Sequence, residues 1–142
     1  HGDSEFVPWS QAMFATRPIL ELCGENEGDV CSQKLDAIAE EVRGAAYKIV
    51  EAKNATYYGI GMAMTRITKA ILGDEHSVLT VSASLNGEYG QRDVFAGVPS
   101  IITQNGVQRV LTLSLSEEEM KKFSDSCELL KESYQGVLDD GN

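Results

Sequence analysis

With 142 residues, 42% of them hydrophobic and 24% charged, the chain is long enough to bury a core and has an ordinary globular composition, which excludes a disordered tract. Its 22 Asp and Glu against 12 Lys and Arg give a formal charge of −10, a balance that repels nucleic acid phosphate and anionic membrane, so neither is an expected partner. Cys23, Cys31 and Cys127 are an odd set without C-x-x-C spacing, which argues against a disulfide scaffold or a zinc site and for a reducing cytoplasm.

The chain opens on His1-Gly2-Asp3-Ser4 with no initiator Met and reads as the continuation of a longer chain. No signal peptide is visible, and no apolar run approaches the roughly 20 residues needed to cross a bilayer. After Pro8-Trp9-Ser10, a moderately apolar stretch to Cys23-Gly24 predicts a short helix interrupted near Pro18, followed by a polar loop over 25–29. From Leu35 the period is helical: Leu35, Ile38, Ala39, Val42, Ala45, Ala46, Ile49 and Val50 share one face, with charged residues opposite. Thr56 is positioned to cap a second helix from about Tyr57 to Leu72, striped by Ile60, Met64, Ile67 and Ile71 and stopped by Gly73.

The pattern then changes to strands. Residues 77–82 are rich in β-formers, and Asn86-Gly87 and Tyr89-Gly90 supply turns. Stretches 98–103 and 107–115 flank Asn105-Gly106, a strong hairpin signal. Ser116-Glu117-Glu118-Glu119 is a capping box for a terminal amphipathic helix carrying Met120, Phe123, Cys127, Leu130, Tyr134 and Val137. Helices and strands do not alternate regularly, so the fold class is α+β: a long broken helix and a terminal helix packed on a mainly antiparallel sheet.

His1 is the first candidate for chemistry, because an imidazole titrating at about 6.5 moves a proton near neutrality at low cost. Taken alone it reads more readily as a tag remnant or an exposed terminal residue. His76, in a polar link, reads as solvated surface, Trp9 as packing, and the acidic run 117–119 as a helix start complementing the macrodipole. Gly59-Ile60-Gly61 lacks the third glycine and the preceding strand of a dinucleotide fingerprint.

Three blocks in order carry a resemblance. His1-Gly2-Asp3-Ser4-Glu5 followed by Trp9-Ser10 resembles the active-site histidine motif of the L-lactate and malate dehydrogenase family. Ala55-Thr56-Tyr57-Tyr58-Gly59-Ile60 is similar to the segment of bacterial L-lactate dehydrogenases that meets substrate and cofactor. The third block is Leu85-Asn86-Gly87-Glu88-Tyr89-Gly90, running on to Asp93-Val94 and Gly97-Val98-Pro99. The likeness extends from His1 to about Leu138, with Pro8 one place later than in most relatives.

The resemblance implies that residues 1–142 are the C-terminal substrate-binding domain of an NAD-dependent enzyme, with the N-terminal NAD-binding domain outside this chain. It implies interconversion of pyruvate and L-lactate by hydride transfer, with His1 as proton donor and acceptor. Thr56 would line the pocket beside the substrate's methyl group, a role compatible with capping the helix. Ile60 would pack against the nicotinamide, or equally face the core. No metal is implied. The aspartate that partners the histidine and the two substrate-binding arginines would precede His1, so the isolated chain is expected to be inactive. A cytoplasmic homotetramer in fermentative glycolysis is implied for the parent enzyme, and fructose 1,6-bisphosphate activation of the kind found in bacterial relatives is left open. Two alternatives stay open as well: malate dehydrogenase of the same family, and a non-catalytic assembly or binding module.

Overall fold

The computed structural model describes residues 4–26 and 28–140. A short turn of 3-10 helix at Trp9–Gln11 leads into a small hairpin, β1 (Met13–Phe14) and β2 (Arg17–Pro18), and then α1 (Ile19–Asn26), α2 (Gly28–Lys53) and α3 (Tyr58–Leu72). Strands β3 (Ser77–Asn86), β4 (Arg92–Thr103) and β5 (Gly106–Val110) follow, and α4 (Glu117–Asp140) ends the fold. The chain divides into two compact units. One comprises Thr56–Thr112 with the chain from Ser124 onward; the other comprises the chain up to Ala55 with Leu113–Phe123.

The first of these units is built on an antiparallel sheet of order β3-β4-β5. Strands β3 and β4 pair from Ser77↔Ile102 to Leu85↔Val94, with an irregularity between Leu85 and Asn86. Alternation sets the faces: Ala83 and Leu85 on β3, and Val94, Ala96, Val98, Ser100 and Ile102 on β4, are buried, while Thr80, Ser82, Ser84 and Phe95 are exposed. Ala70 of α3, which lies against β4, and Cys127 of α4 are completely buried in the same unit. Both strands run beyond their expected ends: Ser82-Ala83-Ser84-Leu85 keeps the polar–apolar alternation, and Val94 and Ala96 stay buried beside exposed Phe95 and Gly97.

The β4–β5 hairpin forms one residue out of the expected frame. Its two-residue loop is Gln104-Asn105, and Gly106 pairs with Thr103 at a φ of 90°. The register shift between Ile101 and Ile102 leaves Gln108 as the extra residue on β5, so the two-residue turn falls on Gln104-Asn105 and Gly106 opens the returning strand. Asp74 accepts from the Gln104 amide at 2.9 Å and ties this loop to the link after α3. β5 ends at Val110, yet Leu111, Leu113 and Leu115 remain half-buried between exposed Thr112 and Ser114, as alternation required.

In the other unit, β1 and β2 and most of α1 replace the single interrupted helix expected over this region. The turn between the strands places Ala15 at a φ of 54°, a conformation its side chain does not advertise. The polar loop expected over 25–29 is also corrected, since α1 continues to Asn26 and α2 begins at Gly28. Asn54, at a φ of 60° with its amide on the Val50 carbonyl at 2.7 Å, stops α2 in the left-handed conformation that asparagine tolerates. The apolar stripe of α2 is helical as read but largely uncovered: Leu35 is buried, while Ile38, Val42, Ile49 and Val50 are exposed. The third correction concerns the cysteines. Cys23 and Cys31 form a disulfide that joins α1 to α2, and Cys127 is the free thiol.

Candidate functional site

His1, Gly2 and Asp3 lie outside the described residues. The segment that follows them is held by groups of its own unit. Arg43 of α2 donates from Nη2 to the Glu5 carbonyl at 3.0 Å, and its Nη1 pairs with Glu40. Gln11 donates to the Ser114 carbonyl at 2.6 Å. Ser10 donates its amide to Glu119 Oε1 at 3.0 Å and its hydroxyl to Glu119 Oε2. Glu119 also receives the Ser116 amide at 2.9 Å, and its own amide donates to the Ser116 hydroxyl at 3.2 Å, so the expected capping box is formed. Burial pushes the Glu119 carboxyl up, but the Ser10 hydroxyl, the Ser10 amide and both Ser116 groups outweigh it and hold the carboxyl below the usual range. Arg43 and Glu119 thus anchor the segment after the histidine motif. In the sequence Arg43 reads only as part of the charged helix face, and Glu119 only as a helix cap.

Thr56 lies in the link between α2 and α3 and is exposed. The capping expectation is corrected: Tyr57, not Thr56, occupies the N-cap position of α3, and no side chain caps that helix. The first turn closes instead through the Gly61 amide on the Tyr57 carbonyl at 2.9 Å. Ile60 lies in the first turn of α3 and is 63% exposed, so its core-facing alternative does not hold within this chain. Gly59 and Gly61 flank it with open space where a Cβ would project, and the rings of Tyr57 and Tyr58 lie 4.9 Å apart beside it. The start of α3 is therefore an exposed apolar surface with one hydroxyl at its edge. Gly59-Ile60-Gly61 lies within the helix, with no strand before it, as expected of a chance resemblance to the phosphate-binding loop.

Elsewhere the polar groups are structural. Ser77, then Arg66 at 2.8 Å, hold the Glu75 carboxyl below its usual range. His76 is exposed, 3.5 Å from Asp74, in keeping with a surface residue. An open groove of about 710 Å³ lined by Met64, Thr65, Thr68, Lys69, Leu72, Gly73 and Glu75 includes neither Thr56 nor Ile60. Among the described residues, no cluster of three His, Cys, Asp or Glu could hold a metal, and no helix is long and apolar enough to cross a membrane.

Known proteins share both the sequence and the fold. Residues 1–140 match the family model for the lactate/malate dehydrogenase alpha/beta C-terminal domain. The chain is 49% identical over 138 residues to L-lactate dehydrogenase 2 of Bacillus cereus and of Bacillus anthracis, covering 97% of this chain and 44% of each relative. It superposes on the minor L-lactate dehydrogenase of Enterococcus mundtii in its ligand-bound form with a TM-score of 0.88 at 47% identity, covering 96% of this chain and 43% of that one. A lactate dehydrogenase from a deep-sea metagenome library of the Medee basin gives a TM-score of 0.85 at 40% identity. The chain thus spans less than half the length of its relatives, and it belongs to the lactate/malate dehydrogenase family as that family's alpha/beta C-terminal domain.

Proposed function

We propose that this chain is the substrate-binding half of an NAD-dependent L-lactate dehydrogenase that interconverts pyruvate and L-lactate, and that an NAD-binding half precedes it in the parent protein. The observation that carries the reading is 49% identity to L-lactate dehydrogenases over 97% of the chain, and the family match over residues 1–140 takes in the histidine, Thr56 and Ile60 blocks.

The described residues suit a nicotinamide at the start of α3. Ile60 offers a bare apolar surface to a flat ring, and the flanking glycines leave room for close approach. When bound, the cofactor supplies or accepts the hydride at the substrate's C2. Ile60 excludes water from one face of the ring. Thr56 bounds the pocket at the substrate's methyl group, where a short branched side chain leaves space for a small 2-keto acid. The imidazole of His1 gives a proton to the ketone oxygen during reduction and takes it back during oxidation, which avoids a free alkoxide in a dry site.

The parent enzyme works in the cytoplasm as a homotetramer. The exposed rows Ile38, Val42 and Ile49 on α2 and Ile60 and Met64 on α3 supply apolar surface for the NAD-binding half and for sister subunits. In the parent enzyme a carboxylate of the NAD-binding half stabilises the His1 imidazolium and an arginine of that half clamps the substrate carboxylate. Steady-state NADH oxidation by the parent protein tests the reading. The expected result is a higher kcat/KM for pyruvate than for oxaloacetate; a preference for oxaloacetate would make it a malate dehydrogenase.

A further inference from the structure

Cys23 and Cys31 are bridged across the junction of α1 and α2, eight positions apart in sequence with Cα atoms 5.3 Å apart. Cys23, midway along α1, is buried at 4% exposure, whereas Cys31, in the first turn of α2, is half-buried. The eight residues of α1 are too few to hold a helix unaided, so its order depends on its attachments. These are β2, the turn at Trp9–Gln11 and α2, and the bridge is the one covalent tie to α2 other than the chain itself. The remaining thiol, Cys127, is fully buried, and burial pushes it up, so it stays protonated and does not enter exchange. The pair is thus asymmetric, with one cysteine buried and the other half-buried, while the third cysteine is sequestered.

We infer that the Cys23–Cys31 bridge is a reversible redox clamp that holds α1 on the start of α2 and releases it when a dithiol reduces the pair. The half-buried Cys31 is the accessible end. A thiolate of the dithiol attacks Sγ of Cys31, the S–S bond breaks, and Cys23 leaves as a thiolate that takes up a proton. The dithiol's second sulfur, as thiolate, then displaces Cys31 from the mixed disulfide, and Cys31 takes up a proton in turn. Two electrons pass from the dithiol, which ends as a disulfide, to the pair, which ends as two thiols. Re-oxidation by a disulfide such as oxidised glutathione runs the same exchange backwards.

Hydrogen exchange of the purified full-length protein, followed on peptides covering residues 19–31, tests this after equilibration with oxidised glutathione and again after dithiothreitol. Removing a loop closure of this size should speed exchange there by about tenfold to a hundredfold, and re-oxidation should reverse it. Cys23→Ser and Cys31→Ser should each exchange fast in both conditions, while Cys127→Ser keeps the response. Equal exchange in both conditions, or three free thiols by titration after oxidation, would overturn the inference.

Discussion

Ser10 and Glu119, 109 residues apart in sequence, are joined by the Ser10 amide on Glu119 Oε1 at 3.0 Å and by the Ser10 hydroxyl on Oε2. The same carboxylate closes the first turn of α4 through Ser116. One side chain, 8% exposed, thus caps a helix and fixes the segment that follows the histidine motif.

Replacing Glu119 should therefore cost more than a cap alone. Glu119→Ala leaves the Ser10 and Ser116 amides without an acceptor and is expected to lower stability by about 2–3 kcal/mol in denaturant unfolding. Glu117→Ala, in the same turn but exposed, should stay within about 0.5 kcal/mol. The pH dependence has a fixed sign. The Glu119 carboxyl is held below its unfolded value, so its contribution is complete above the ordinary carboxylate range and fades as pH falls through the lower folded value. The stability gap between the wild type and Glu119→Gln should narrow in acid; a gap that widens there would contradict the assignment.

Thr56 separates a capping role from a pocket role. Capping threonines cost about 1 kcal/mol when truncated, whereas Thr56 is exposed and caps nothing. Thr56→Ala should leave the melting temperature of the parent enzyme nearly unchanged. Thr56→Leu should raise KM for pyruvate severalfold by filling the space beside the methyl group. Loss of stability without a change in KM would return Thr56 to a structural role.

Gly106 tests the turn between β4 and β5. At a φ of 90° with open space around it, its substitution meets a backbone penalty and no clash. Gly106→Ala should destabilise by about 1–2 kcal/mol, and Gly106→Asn by less, since asparagine accepts positive φ more readily. Chemical denaturation of the two variants side by side checks the order.

Much of this architecture is visible in the residues. The periods of α2, α3 and α4, the Ser116–Glu119 box and the strand stretches 77–82 and 98–103 are each readable from residue type and spacing, and all appear in the structure. The misses share a cause: local geometry decided elsewhere in the fold. Ala15 adopts a left-handed turn without a glycine or asparagine to mark it, so β1 and β2 left no trace in the pattern. Gly28 to Lys34 is too polar to show a period, although α2 begins there. The cysteine pair has no motif spacing, and only the meeting of two helix ends brings the sulfurs together. Around the candidate site, sequence marked Thr56 and Ile60 through family likeness, but not that both would be exposed. A stripe at helical spacing reveals an apolar face, not what covers it.

Proton transfer at the histidine is the centre of the proposal, and one comparison addresses it directly. In the full-length enzyme, His1→Asn should lower kcat for pyruvate reduction by about 10²–10⁴-fold while NADH binding, followed by fluorescence, stays within about twofold. A variant that turns over pyruvate at the wild-type rate, with cofactor binding intact, would contradict it.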